Sequence, residues 1–336
     1  MVIELGVTFP GISAQGFAHP ADRAATAAIR TVPGLDKVIK LFSEHGYERR
    51  LRQLLLGNAV RIGEDQLPAI WSLQQRCAKV LDIEQCPKLY VTEEPVGNGL
   101  TFGTKEPVTL VTSGLVRSYP EDELGAVLAH EMGHVLADHV GLTTTFELVQ
   151  LILQGTIRAI PLAGVPLMAI YLALLEWSRA AELTSDRASA IVAGEPLVLC
   201  RTLMRMAGGP IQGLNLDAFI RQATEYEGEA DPFARYSRFF PEITTTHPFS
   251  VRRVQELIAW VSAGELDRIR SGSYLRRGQE PPASAEFEAA FRHYKNRFAS
   301  IIDRAGDGIS TVFDRVTDWL GGTGQQDDPA PGDSGT

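Results

Sequence analysis

Hydrophobic residues recur at three- and four-residue intervals through most of residues 20–85, the spacing of a helix with one buried face. Residues 34–45 place Leu35, Val38, Ile39, Leu41 and Phe42 on such a face. Residues 66–81 do the same with Leu67, Ile70, Leu73, Cys77, Val80 and Leu81. The pattern then changes. Residues 88–92 (KLYVT), 100–103 and 108–112 (VTLVT) are short, rich in β-formers and separated by Pro and Gly, which predicts a small sheet. Ser118 and Glu121 match the S-x-x-E capping pattern and predict the start of a helix running through GAVLAHEMGHVLADHV.

Residues 146–175 are largely apolar, and 159–175 (AIPLAGVPLMAIYLALL) carry no charge. A spanning helix needs roughly 20 apolar residues. This run is shorter and is interrupted near its start by Pro161, Gly164 and Pro166. It is therefore expected to form a buried helical hairpin over 141–176, with membrane insertion as the alternative and peripheral membrane contact through 146–175 open to the hairpin itself. A helix from Glu176 to about Ala193 follows, then another over 196–206 that stops at Gly208-Gly209-Pro210. Residues 223–246 read as loop, 249–263 as helix, and 285 to about 320 as an amphipathic helix with Phe287, Phe291, Tyr294, Phe298 and Phe313 on one face. The Gly-, Pro- and Asp-rich end is expected to be disordered.

The expected fold class is α+β, mainly helical, with one small sheet. Its organisation is an N-terminal helical region (1–85), a core (86–265) carrying the helical insertion 141–176, C-terminal helices (266–320) and a tail (321–336).

Composition narrows the function only slightly. Among 336 residues, 44% are hydrophobic and 22% charged, as in an ordinary globular protein. A net charge of -9 gives no electrostatic reason to expect nucleic acid as a partner. The three cysteines, Cys77, Cys86 and Cys200, form no C-x-x-C pair and fit a reducing compartment. The N-terminal residues show no basic stretch leading into an apolar run, so a cytoplasmic location is expected.

The chemistry is concentrated at His130-Glu131-Met132-Gly133-His134. On a helix, residues four apart lie on one face a turn apart, so both imidazoles can reach one Zn²⁺. Glu131 lies beside them, where a carboxylate can take a proton from an activated water. A third ligand must come from elsewhere. Asp138 is about 12 Å along the helix axis from His130, too far for one metal. His139 lies five residues past His134, well round the helix, and both residues are expected to be solvated helix-end positions. Glu182 and Asp186 share a helix face, so one could bind metal while the other orients a ligand. On the residues alone, an ordinary charged face with Arg179 and Arg187 is the stronger reading.

H-E-x-x-H followed by Glu182-x-x-x-Asp186-Arg187 resembles the HtpX-like and CAAX prenyl protease family of gluzincin zinc metallopeptidases. Asn98-Gly99-Leu100-Thr101-Phe102-Gly103 resembles that family's N-A-F-A-x-G segment. Thr246-His247-Pro248 followed by Arg253 resembles its T-H-P-x-x-x-x-R element. The four motifs keep the family order across residues 88–257. The resemblance implies a gluzincin fold with a small β-sheet beside two metal-bearing helices. It implies one zinc per chain on His130, His134 and Glu182, with Asp186 supporting a ligand imidazole and Glu131 as general base. It also implies an edge strand, placed at Asn98 to Gly103, that binds substrate main chain by strand addition. His247 would either steady an oxyanion or start a helix whose Arg253 pairs near Glu182. The chain lacks the apolar N-terminal spans of membrane-embedded members and is more similar to soluble or peripheral ones. The expected function is a zinc-dependent endopeptidase acting on peptide or protein. The alternative is a chaperone-like zinc scaffold with little hydrolytic activity.

Overall fold

The computed structural model describes residues 7–44, 46–155, 167–228, 249–279, 288 and 290–296. His247 therefore lies outside the described residues, as do 156–166 at the centre of the expected hairpin and most of the expected C-terminal helix.

In chain order the elements are α1 (Pro20–Ile29), α2 (Leu35–Glu44), α3 (Tyr47–Leu56), β1 (Ala59–Ile62), α4 (Pro68–Val80), β2 (Lys88–Thr92), β3 (Gly99–Phe102), β4 (Val108–Thr112) and α5 (Ser113–Ser118). They continue with α6 (Glu121–Leu136), α7 (Val140–Leu153), α8 (Leu167–Ala193), α9 (Pro196–Gly208), α10 (Leu216–Gly228), α11 (Ser250–Ser262) and α12 (Glu265–Arg270). The fold is α+β and mainly helical, with a four-stranded sheet beside the helices that carry the metal-site residues.

The strand order is β1-β2-β4-β3, with β2 and β4 parallel and the outer pairs antiparallel. The β1 strand corrects the all-helical expectation for residues 20–85. Four residues, Ala59-Val60-Arg61-Ile62, are too few to show a period, and their extended form comes from pairing with β2. Every residue of β4 is buried, because both faces of the sheet are covered. Val108 and Leu110 enter one apolar cluster with α1, α2, α7 and the first half of α8. Val111 enters the other, with α4, α6, α9 and α11. Alternation along β3 has a functional result. Leu100 and Phe102 pack with the first cluster, which leaves Gly99 and Thr101 turned to α6. Among the described residues β3 pairs only with β4 and is an edge of the sheet.

Three boundaries differ from expectation. Ser118 ends α5, and α6 begins at Glu121 after Pro120 with no side-chain cap, so the capping pattern is not used. Proline at that position already presets the turn. Helix α10 occupies residues expected as loop from 223. The second arm of the apolar insertion and the ligand-bearing helix are one 27-residue helix, α8, about 40 Å long. All the breakers, Pro161, Gly164 and Pro166, precede it, and nothing between 167 and 193 stops a helix. Its first half packs against α7 through Phe146, Val149, Ile170 and Leu174, and Phe146 stacks on Tyr171. No helix among the described residues is long and apolar enough to cross a membrane. Phe291 and Tyr294 also pack against this cluster.

Helices α6 and α8 approach closely because Gly133 faces small residues. A Cβ at Gly133 would lie 2.7 Å from the Ala188 Cβ and 3.0 Å from the Ser185 Cα. A Gly133→Val variant must push the helices apart. It is expected to lose roughly 1–3 kcal/mol of stability to overpacking, seen as a lower denaturant midpoint; an unchanged midpoint would contradict the close approach.

Candidate metal centre

His130 and His134 lie one turn apart on α6 and face Glu182 of α8 across this contact. The His130 Nε2 is 3.2 Å from the His134 Nε2 and 3.3 Å from Glu182 Oε2. His134 Nε2 is 3.2 Å from Glu182 Oε1. Two ligands each about 2.1 Å from a tetrahedral zinc are about 3.4 Å apart. The triangle of donor atoms is therefore the right size for one small cation. All three residues are buried.

The outer atoms of the ligands are held. His130 Nδ1 lies 3.0 Å from Asp186 Oδ1. A carboxylate only accepts, so this nitrogen carries a proton and Nε2 is left for the cation. Arg253, from α11, grips Asp186 with two hydrogen bonds, Nε to Oδ2 at 2.8 Å and Nη2 to Oδ1 at 2.6 Å. Its Nη1 lies 3.2 Å from Glu182 Oε2. This is the ion pair expected for Arg253 near Glu182.

The site's electrostatics favour positive charge. Burial works against an imidazolium at His130, but Glu182 and Asp186 outweigh it and raise its pKa to about 9. Burial lowers that of His134, only partly offset by Glu182. Burial would also raise Asp186, yet Arg253, followed by His130, holds it below the usual carboxylate range. Carboxylates that stabilise a proton on His130 would stabilise a metal cation in its place. Donor identity, spacing and charge thus fit a divalent ion on His130, His134 and Glu182.

Glu131 is buried beside this triangle but is not one of its corners. Its Oε2 accepts a 2.8 Å hydrogen bond from Thr101 Oγ1 of β3. Its Oε1 faces Gly99, where a Cβ would sit only 2.9 Å away. Glycine at 99 therefore lets the edge strand pass against the carboxylate. A cavity of about 510 Å³ joins Asn98, Gly99, Leu100 and Thr101 to His130, Glu131, His134, Glu182 and Arg253. Phe102 and Gly103 do not line it. Phe102 is buried in the apolar cluster, and the Gly103 N–H donates to Thr144 Oγ1 of α7.

His139 overturns the expectation of a solvated helix end, since it is 1% exposed. The helix stops at Leu136, and Asp138 takes a left-handed conformation (φ 58°). The backbone N–H groups of Asp138 and His139 return to the carbonyls of Val135 and His134, a Schellman ending. That reversal folds His139 back over His134, with the two Nδ1 atoms 3.1 Å apart. Helical-wheel reasoning fails here because the residue is no longer on the helix. Asp138, one of the few residue types that tolerate the left-handed region, was the available signal. Asp138 itself is exposed, as expected.

An H-E-x-x-H helix joined to a glutamate on a second helix defines a metallopeptidase-type site. Residues 66–261, more than half the chain, match Peptidase family M48. The chain belongs to this family. It is 34% identical over 258 residues to the plastoglobule-localized metallopeptidase 48, chloroplastic, of Arabidopsis thaliana, covering 75% of this chain and 74% of that protein. It is 26% identical over 259 residues to the protease HtpX homolog of Trichormus variabilis, covering 67% and 84% of the two chains. A protease HtpX homolog of Thermococcus sibiricus is 26% identical over 228 residues, covering 58% and 74%. No solved structure matches the chain.

Proposed function

We propose that this protein is a zinc-dependent endopeptidase with one zinc per chain and Glu131 as its general base. One observation carries the reading. Glu131 sits beside the ligand triangle without joining it, with one oxygen anchored by Thr101 and the other facing the edge strand.

His130, His134 and Glu182 would hold the zinc, which would supply Lewis acidity at the site. The chain's own residues do the rest. Substrate main chain adds alongside β3, whose outer edge borders the cavity, and this brings a peptide bond to Glu131. Glu131 takes a proton from the attacking water and returns it to the amine as the C–N bond breaks. Thr101 keeps the carboxylate aimed throughout. Arg253 and Asp186 hold His130 and Glu182 in place.

A quenched-peptide or casein assay on the purified chain tests this. Hydrolysis is expected in zinc, loss on chelation, and recovery when zinc is restored. If zinc-loaded protein leaves both substrates intact but suppresses aggregation of an unfolded client, the peptidase reading fails and the scaffold alternative replaces it.

A further inference from the structure

The two histidines at the metal centre are supported differently. His130 rests directly on a carboxylate, Asp186. His134 rests on another imidazole, and that imidazole reaches a carboxylate from the far end of the sequence. His139 Nε2 lies 3.1 Å from Asp22 Oδ2, a contact between residues 117 positions apart. Asp22 belongs to α1, outside the segment that matches the family.

We propose that Asp22 and His139 are positioning residues for His134, so that helix α1 completes the metal centre. The inference rests on the metal reading of the site. Proton direction along the chain follows from its end. Asp22 can only accept, so His139 Nε2 carries the hydrogen and, in the neutral imidazole, His139 Nδ1 is the acceptor. His134 Nδ1 must then be the donor, which leaves the lone pair of His134 on Nε2. That atom is the one 3.2 Å from both His130 Nε2 and Glu182 Oε1. A carboxylate on α1 thus selects the tautomer that a metal requires.

The end of the chain is fixed in turn. Asp22 Oδ2 accepts from Thr184 Oγ1 at 2.6 Å, and Oδ1 accepts from Thr26 Oγ1 at 2.9 Å. Thr26 Oγ1 accepts from the Trp177 indole N–H at 2.8 Å, and the Trp177 ring meets His139 edge-on at 5.6 Å. Asp22 and His139 are both buried, so the hydrogen bonds act in low dielectric. Apolar residues could fill the same space without burying a carboxylate. A chain of polar groups ending on a metal-site nitrogen is accounted for by orienting that nitrogen.

Zinc affinity, measured by competition with a chromophoric chelator, tests the proposal without relying on turnover. Asp22→Leu, which removes the acceptor at similar volume, and His139→Ala are expected to weaken zinc binding roughly 10–100-fold and to alter the visible spectrum of the cobalt-substituted protein. His139→Asn, whose side-chain oxygen can still accept from His134, should bind zinc more tightly than His139→Ala. Wild-type affinity in folded Asp22→Leu and His139→Ala proteins would overturn the proposal. If Asp22→Leu does not fold, the two His139 variants decide, and equal affinities in that pair overturn it. A wild-type chain that takes up no zinc overturns the metal reading itself and this inference with it.

Discussion

Glu131→Gln is expected to take up zinc as the wild type does and to hydrolyse peptide roughly 10²–10⁴-fold more slowly, the usual contribution of a positioned general base. The substitution is nearly isosteric. Thr101 Oγ1 can still donate to the amide oxygen in place of the carboxylate Oε2, so the side chain should keep its position between β3 and α6. The amide simply cannot accept a proton from water. Because Glu131 is not one of the three donor residues, metal content should be unchanged. Measured kcat alongside zinc analysis separates these effects. Undiminished kcat would reject Glu131 as the base, and lost zinc would mean that it holds the metal.

The largest effect on stability is expected at Arg253. Its guanidinium is buried between Asp186 and Glu182, with contacts of 2.6, 2.8 and 3.2 Å. Arg253→Met keeps much of the side-chain volume but leaves two carboxylates buried without their cation. Breaking one side of such a pair costs roughly 3–5 kcal/mol, which for a domain of this size lowers Tm on the order of 10 °C. Saturating zinc should recover part of that loss, because a cation on Glu182 replaces one of the missing charges. Thermal melts with and without zinc check both statements. An unchanged Tm would mean that Asp186 and Glu182 do not depend on Arg253 for their neutralisation.

Legibility of the site from sequence varies with the locality of each contact. His130 and His134 are separated by one helical turn, so their convergence is a property of α6 alone. Strands β2 and β4 are readable because each is a five-residue run dominated by β-forming residues. Strand β1 was not, since its four residues are extended only against β2. Glu182 was ambiguous for a different reason. A glutamate four residues before an aspartate also describes a solvated helix face, and only the resemblance to other H-E-x-x-H proteins separated the readings. His139 escapes helical spacing because α6 ends at Leu136 and the left-handed Asp138 turns the chain back.

By itself, then, the sequence determined the helical histidine pair, the neighbouring carboxylate, the central strands and the family, all of which depend on short-range spacing or ordered motifs. Tertiary structure decided which distant groups complete them. Gly133 lets α8 bring Glu182 to the two imidazoles. Packing of α11 delivers Arg253 to Asp186, and packing of α1 delivers Asp22 to His139. Such pairings leave no periodic trace, because a buried carboxylate's partner is set by how helices cross and not by what lies beside it in the chain.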